Sequence, residues 1–129
     1  MRFLLILLFP LTFYSQTNWT KKRLPDFENV FVEKITEDSL QSTFFIAIKK
    51  NVVEHYHKNH SECIIVLSGK AKMTLDGKII KIKKGVQVSI PKETIHGVQV
   101  KGWKTLKVIS IQSPLFDGKD RHFPVYGDF

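Results

Sequence analysis

The chain has 129 residues, enough for one domain, and 43% of them are hydrophobic, which is sufficient for one core. Charged residues make up 25% of the sequence while glycine and proline are few, and this composition excludes a disordered chain. The formal net charge is +8, and the single cysteine excludes an internal disulfide.

The N-terminal segment, residues 1–15, stands apart from the rest of the sequence. After a positively charged start, residues 3–13 are almost wholly apolar. This run is shorter than the roughly 20 residues that a membrane-spanning helix needs. It predicts a secretory signal peptide removed between Ser15 and Gln16, and therefore a secreted or periplasmic protein. The alternative interpretation is a buried N-terminal strand.

From residue 16 onward, short apolar runs alternate with turn signals, and no stretch keeps the helical period of about 3.6 residues. Strands are predicted at residues 31–35, 43–48, 52–57, 62–67, 71–75, 78–82, 86–90, 96–100 and 105–111. Asp76-Gly77 between two alternating runs predicts a tight hairpin, because both turn residues need positive φ. Many short strands separated by turns indicate an all-β sandwich or barrel.

The predicted organisation has an N-terminal arm at residues 16–39, a β-barrel domain at 40–112 and a C-terminal tail at 113–129. The tail is irregular and is expected to cross the outside or the mouth of the barrel. The lysines of the barrel mostly alternate with apolar residues, which predicts a solvated sheet face. A nucleic-acid site would want aromatic residues interleaved on that face, so no nucleic-acid partner is expected.

Two histidines, His55 and His57, lie two residues apart on the third predicted strand, so their side chains point to the same face. A short polar turn follows, and Glu62 then begins the next strand, from which its side chain can face the two imidazoles. Two neutral imidazoles and one carboxylate suit a divalent metal ion. The sequence therefore predicts a metal site at this turn.

Three neighbours of this cluster are not predicted to be ligands. Tyr56 points away from the two histidines and is expected to serve packing. His60 lies in the turn and is interpreted as a solvated loop residue. Cys63 lies on the strand face opposite Glu62, and we interpret it as a small buried hydrophobic residue, with a thiol beside the metal as the alternative.

Seven positions at fixed spacing resemble the two sequence motifs of the cupin superfamily. The residues that carry this resemblance are His55, His57, Glu62, Gly69, Gly85, Pro91 and His96. Three positions depart from the motifs, since Lys49 and Glu93 stand where the family has glycine and Val100 where it has asparagine. None of these three is a metal ligand in the family, so the departures affect local turns.

The resemblance implies a cupin-type double-stranded β-helix, or jelly-roll barrel, of the small single-domain kind. It also implies that His96 joins His55, His57 and Glu62 as a fourth ligand. Nitrogen and oxygen ligands of this kind suit Fe, Mn, Ni, Cu, Co or Zn as a divalent ion, and the sequence does not rank these metals. One or two open positions would remain for water or for a small oxygenated ligand.

The catalytic residues are not identified by the sequence. The candidates for acid–base chemistry or for binding a carboxylate are Glu93, Asp117, Asp120, Arg121 and His122, each of which is otherwise a surface residue. We expect an exported metal-dependent enzyme of dioxygenase, isomerase or lyase type that acts on a small oxygenated compound, such as a sugar acid or another carboxylate. The alternatives are a non-catalytic module that binds metal or a small ligand, and a purely structural oligomer. A homodimer is expected.

Overall fold

The computed structural model describes residues 16–126, so the predicted signal peptide lies outside the described residues. The described chain forms nine strands, which occur close to the predicted positions. Their bounds are β1 Val30–Glu37, β2 Ser42–Ile48, β3 Asn51–His55, β4 Ser61–Ser68, β5 Lys70–Leu75, β6 Lys78–Lys83, β7 Gln87–Ile90, β8 His96–Val100 and β9 Leu106–Ser113.

The strands form two antiparallel sheets, with the orders β1-β2-β9-β4-β7 and β3-β8-β5-β6. The prediction of an all-β fold is confirmed. Within residues 16–126 there is no helix of the length and apolar character needed to cross a membrane. The two sheets face each other, and the inward residues of alternating strands such as β4 meet between them.

The core lies between the sheets and is built from aliphatic side chains. The bulkiest fully buried members are Met73, Ile82, Ile90, Leu106 and Val66. Burial of each such side chain contributes about 1.5–3 kcal/mol to folding. Strands β4 and β8 both begin beside the predicted metal ligands and continue into this core. Packing of the core therefore holds the starts of both strands, and with them the predicted ligands, in place.

Two turns show why particular residues are needed where they are. Asp76 and Gly77 have φ values of 44° and 76°, so the tight hairpin between β5 and β6 is confirmed. Gly69 has a φ of 82°, and a Cβ at this position would lie 2.7 Å from the backbone oxygen of Thr105. The glycine that closes the first motif is therefore required by a close approach of two chain segments.

The N-terminal arm covers the outer face of the five-stranded sheet and also contributes its edge. Strand β1 pairs with β2, and the ring of Trp19 packs 5.2 Å from the ring of the fully buried Phe45. The eight barrel lysines are exposed, which confirms the solvated face: Lys49, Lys50, Lys70, Lys72, Lys78, Lys81, Lys83 and Lys84.

The C-terminal tail crosses the end of the barrel at which β3 finishes, in agreement with the expectation that it crosses the outside or the mouth. Strand β3 ends at His55, earlier than the prediction of residue 57, because the chain changes its pairing partner there. Beyond β3, the backbone of Tyr56 exchanges hydrogen bonds of 2.9 Å with His122 of the tail. The tail thus replaces β8 as the neighbour of the second predicted histidine.

Candidate metal centre

Three buried histidines converge at the end of the barrel where the tail crosses. His55 is the last residue of β3, His57 follows two residues later, and His96 is the first residue of β8. His55 and His96 are direct partners in the sheet register. One ring nitrogen of each histidine lies within 4.8 Å of the other two. The structure therefore brings the three predicted imidazoles together in a group that could form a metal site.

The backbone fixes the tautomer of each of these imidazoles. The Nδ1–H groups of His55 and His96 donate to the backbone oxygens of Val53 and Thr94, each at 2.9 Å. The Nδ1–H of His57 donates to the backbone oxygen of Asp120 at 2.5 Å. A carbonyl oxygen only accepts, so Nδ1 carries the proton and Nε2 keeps a free lone pair in all three rings. This is the arrangement that prepares imidazoles for metal binding.

Glu62 lies on β4 beside two of the three imidazoles. Its Oε2 lies 3.3 Å from Nε2 of His96 and 3.7 Å from Nε2 of His57. Neither buried Nε2 has a hydrogen-bond partner among the described residues, so acceptor atoms face one another across these distances. A cation between them would remove the repulsion, and the donor set therefore fits a divalent metal.

The remaining oxygen of Glu62 is held by the sheet. Its Oε1 accepts a hydrogen bond from the hydroxyl of Ser110, which in turn accepts one from the side-chain amide of Gln112 at 3.2 Å. Ser110 lies on β9, next to β4, so a residue that the sequence analysis did not single out orients the carboxylate. The sequence carried no signal for Ser110, because its role depends on the pairing of strands far apart in the chain.

Burial and neighbouring charges shift the proton affinities of the cluster in opposite directions. Burial and the nearby His96 lower the pKa of His55 to about 4. Burial acts the same way on His57, but the nearby Glu62 carboxylate and the backbone oxygen of Asp120 outweigh it and raise the pKa of His57. Burial opposes ionisation of Glu62, yet the neighbouring His57 and His96 and the hydroxyl of Ser110 hold the pKa of that carboxyl well below its usual range. Glu62 is therefore a carboxylate at neutral pH.

The interpretation of His60 as a solvated residue is wrong. Its side chain is 2% exposed, and its ring stacks on that of His57 with 4.0 Å between the centroids. The Nδ1 of His60 lies 2.8 Å from Oδ2 of Asp120, and the ring of Phe116 packs against its edge. The tail covers this turn, and sequence spacing alone does not reveal such a cover.

Asp120 is also buried, at 6% exposure, and its surface interpretation is wrong. Its carboxylate accepts hydrogen bonds from the backbone N–H groups of Lys58, Asn59 and His60 at 2.9, 2.7 and 3.1 Å. Burial opposes ionisation, but these donors outweigh it and lower the pKa of Asp120 to about 2. Asp120 therefore closes the turn between the histidine pair and Glu62.

The other candidates separate clearly by position. Arg121 lines the cavity above the histidines, whereas Glu93 and Asp117 do not. Asp117 accepts hydrogen bonds from the backbone of its own turn, and Glu93 is an exposed turn residue with a φ of 64°. His122 donates to Asp120 at 3.1 Å and packs on Tyr56, which confirms the packing role of that tyrosine.

Cys63 lies on the face of β4 opposite Glu62, as the alternation predicts, and it is half-buried. It is not among the residues that line the cavity above the histidines. This placement agrees with its interpretation as a small packing residue.

A cavity of about 340 Å³ opens beside the three histidines and Glu62. Its histidine end contains the predicted ligands together with Arg121 and two residues that the sequence analysis missed, Gln112 and Phe116. The rest of the wall is mainly aliphatic. This volume lies in the range of pockets that hold small organic ligands.

The Cupin domain family matches residues 44–112 of this sequence. The chain belongs to the cupin family. The resemblance drawn from seven motif positions is thereby confirmed, and metal binding is common among cupins. The matched region contains the three histidines and Glu62, and it ends just before the tail that carries Asp120 and Arg121.

Several known proteins are similar to this cupin. An uncharacterized protein of Aquifex aeolicus is 35% identical over 100 residues, which cover 78% of this chain and 82% of that protein. Quercetin 2,3-dioxygenase of Bacillus subtilis is 30% identical over 66 residues, which cover 51% of this chain but only 20% of the enzyme. KdgF from Halomonas sp. has a TM-score of 0.66 at 21% identity, covering 73% of this chain and 87% of that one. The structural similarity at this identity shows the shared fold alone.

Proposed function

We propose that this cupin is a metal-dependent enzyme that acts on a small oxygenated compound carrying a carboxylate. The observation that carries the proposal is the convergence of three Nε2 lone pairs and the Glu62 carboxylate at one end of a ligand-sized cavity. A divalent metal bound there would polarise an oxygen of the substrate. The similarity to a dioxygenase over the cupin region supports an enzyme without specifying its reaction.

Arg121 supplies the reason for a carboxylate substrate. Among the described residues that line the cavity, Arg121 is the only lysine or arginine. A guanidinium binds a carboxylate through two parallel hydrogen bonds. Partial burial lowers the pKa of Arg121, while Glu62 raises it, and the group remains charged at neutral pH. In this proposal Arg121 binds and orients the substrate, His55, His57, His96 and Glu62 hold the metal, and Phe116 excludes water from one side.

A second candidate function is a non-catalytic module that binds metal or a small ligand. The position of the acidic candidates favours it, because Glu93 and Asp117 lie outside the cavity. In the described part of the chain, the titratable groups of the cavity wall are thus the proposed ligands and Arg121. An enzyme would then have to move protons with Glu62, with a bound water or with a group of the substrate.

Elemental analysis of the protein purified from its native compartment tests the metal. Wild type should carry stoichiometric metal, and His57→Ala and Glu62→Ala should lose most of it. Lys78→Ala, on the exposed face of β6, is the matched control and should retain it. Wild type without stoichiometric metal would remove both the metal and the enzyme proposal.

Export and self-association belong to the same proposal. The apolar start of residues 1–15 supports export to the periplasm or the medium. N-terminal sequencing should find Gln16 first, and an intact Met1 on protein in the cytoplasm would contradict it. Size-exclusion chromatography should give the mass of a homodimer, and a monomer at micromolar concentration would contradict that part.

A further inference from the structure

We propose that the cavity takes a carboxylic acid whose body is apolar, an alkyl or aromatic acid, and discriminates against sugar acids. This inference rests on the proposed function for its carboxylate and its metal. It goes beyond that function by specifying what the rest of the cavity recognises. The distribution of polar groups along the cavity wall carries the inference.

The free polar groups of the wall lie at one end. Gln112 is the direct register partner of Glu62, and its buried Oε1 has no hydrogen-bond partner among the described residues. Arg121 follows Asp120, whose backbone oxygen binds His57. The groups that can recognise a polar ligand are therefore clustered around the histidines.

Between this end and the opposite rim, the wall is apolar. The side chains that form it include Phe44, Ile46, Ile64, Val52, Val98 and Val108, contributed by both sheets. None of these side chains has a hydrogen-bonding group. A ligand body of more than a few atoms must therefore lie against hydrocarbon.

Two asparagines, Asn29 and Asn51, lie at the far rim, and the side chain of Asn29 is occupied by its neighbours. The side-chain amide of Asn29 donates to Asn51, at 2.9 Å to its backbone oxygen and 3.3 Å to its side-chain oxygen. The side-chain oxygen of Asn29 accepts from the backbone N–H groups of Lys50 and Asn51 at 3.0 and 3.2 Å. These hydrogen bonds join Asn29, the residue before β1, to the start of β3.

The opening of the cavity is apolar as well. Val30 and Val32 on edge strand β1 are 41% and 53% exposed, and Val53 on edge strand β3 is 56% exposed. Val30, Val32 and Val53 all belong to the cavity wall. An acid that enters between the two edge strands therefore meets mainly apolar side chains between the asparagines of the rim and the histidines.

The chemistry of the wall decides between the two kinds of acid. A sugar acid would bring several hydroxyl groups against this wall, and each hydroxyl that loses water without gaining a partner weakens binding by roughly tenfold. An alkyl chain in the same place removes apolar surface from water and strengthens binding. The wall therefore favours the acid whose chain lacks hydroxyl groups, and the ratio of the two affinities grows with each hydroxyl group that is absent.

A matched pair of six-carbon acids tests the inference by calorimetry on the metal-loaded protein. Both 2-hydroxyhexanoate and gluconate present the same 2-hydroxycarboxylate to the metal and to Arg121, so the ratio of their affinities reports on the body alone. We expect 2-hydroxyhexanoate to bind at least about tenfold more tightly. Equal affinities, tighter binding of gluconate, or no binding of either acid at millimolar concentration would overturn the inference.

Variants of the wall separate the cavity from the metal. Val52→Thr adds a hydroxyl to the wall at nearly constant volume and should reduce the affinity ratio several-fold. Val100→Thr makes the same change on β8 outside the cavity and should leave the ratio unchanged. Elemental analysis of wild type as purified, before metal is added for calorimetry, keeps the two proposals apart. Equal affinities for the two acids in protein that carries stoichiometric metal refute the apolar body alone, whereas protein purified without metal that still prefers 2-hydroxyhexanoate refutes the enzyme alone.

Discussion

His57 donates its Nδ1–H to the backbone oxygen of Asp120, across 63 positions of sequence. The carboxylate of the same Asp120 accepts the three backbone N–H groups of the turn that follows His57. One tail residue thus orients a proposed metal ligand and also closes the loop that leads to Glu62. A substitution here should affect stability and metal affinity together.

Asp120→Asn should lower the free energy of unfolding by about 1–3 kcal/mol, because an amide offers one acceptor oxygen where the carboxylate offers two. It should also weaken metal binding by about tenfold, because the carboxylate holds in place the tail residue whose backbone oxygen orients His57. Urea denaturation and a competition titration with zinc measure the two effects. Asp117→Asn, in an exposed turn three residues earlier, is the control. Unchanged stability and affinity in Asp120→Asn would contradict the role of this residue.

The stabilising effect of Asp120 should depend on pH in a defined window. Its pKa is lowered from 3.8 in the unfolded reference to about 2 in the folded protein, so the unfolded state binds the proton first as the pH falls. The stabilisation, at most about 2 kcal/mol, is complete above pH 3.8 and is lost as the pH falls through about 2. The difference in stability between wild type and Asp120→Asn should therefore shrink between these values. A difference that stays constant across this range would show that the charge of Asp120 is not involved.

In the metal-free protein, His55 should make stability rise with pH between about 4 and 6.5. Its folded pKa is about 4, so the unfolded state holds the extra proton throughout this window. The effect is at most about 3 kcal/mol, and the raised pKa of His57 opposes it, so single-residue comparison is needed. Chelator-treated His55→Gln should show a flatter pH dependence than wild type in thermal unfolding. Lys78→Gln, on the exposed face of β6, should retain the slope.

Sequence patterns were sufficient to predict the strands because the signals for a strand lie within its own segment and the turns beside it. Alternation and turn residues predicted β2 or β6 without any knowledge of their partners, and His55, His57 and Glu62 followed from their spacing. His96 was assigned only through the family resemblance, because it lies on another strand. The contacts of Asp120 with His60 escaped prediction, since they join segments 60 residues apart through the path of an irregular tail. The path of this tail, whose sequence has no periodic pattern, also determines that Arg121 lines the cavity and that Asp117 does not.

Glu93→Gly should stabilise the protein by about 1 kcal/mol or less. Glu93 has a φ of 64°, a conformation that costs a residue with a Cβ about 1 kcal/mol or more, and it stands where the cupin motif has glycine. Glycine removes this strain but also gains freedom in the unfolded chain, which offsets part of the benefit. The backbone N–H of residue 93 donates to the backbone oxygen of His57 at 2.6 Å, and glycine keeps this bond.

The neighbouring residue provides the control for this substitution. Lys92 is equally exposed but is not among the residues with positive φ, so Lys92→Gly should cost stability by about 0.5–1 kcal/mol. Urea denaturation of the two variants should therefore shift the midpoint in opposite directions. If Glu93→Gly were as destabilising as Lys92→Gly, the backbone at residue 93 would carry no strain, and the missing glycine would have no structural consequence for the turn that precedes His96.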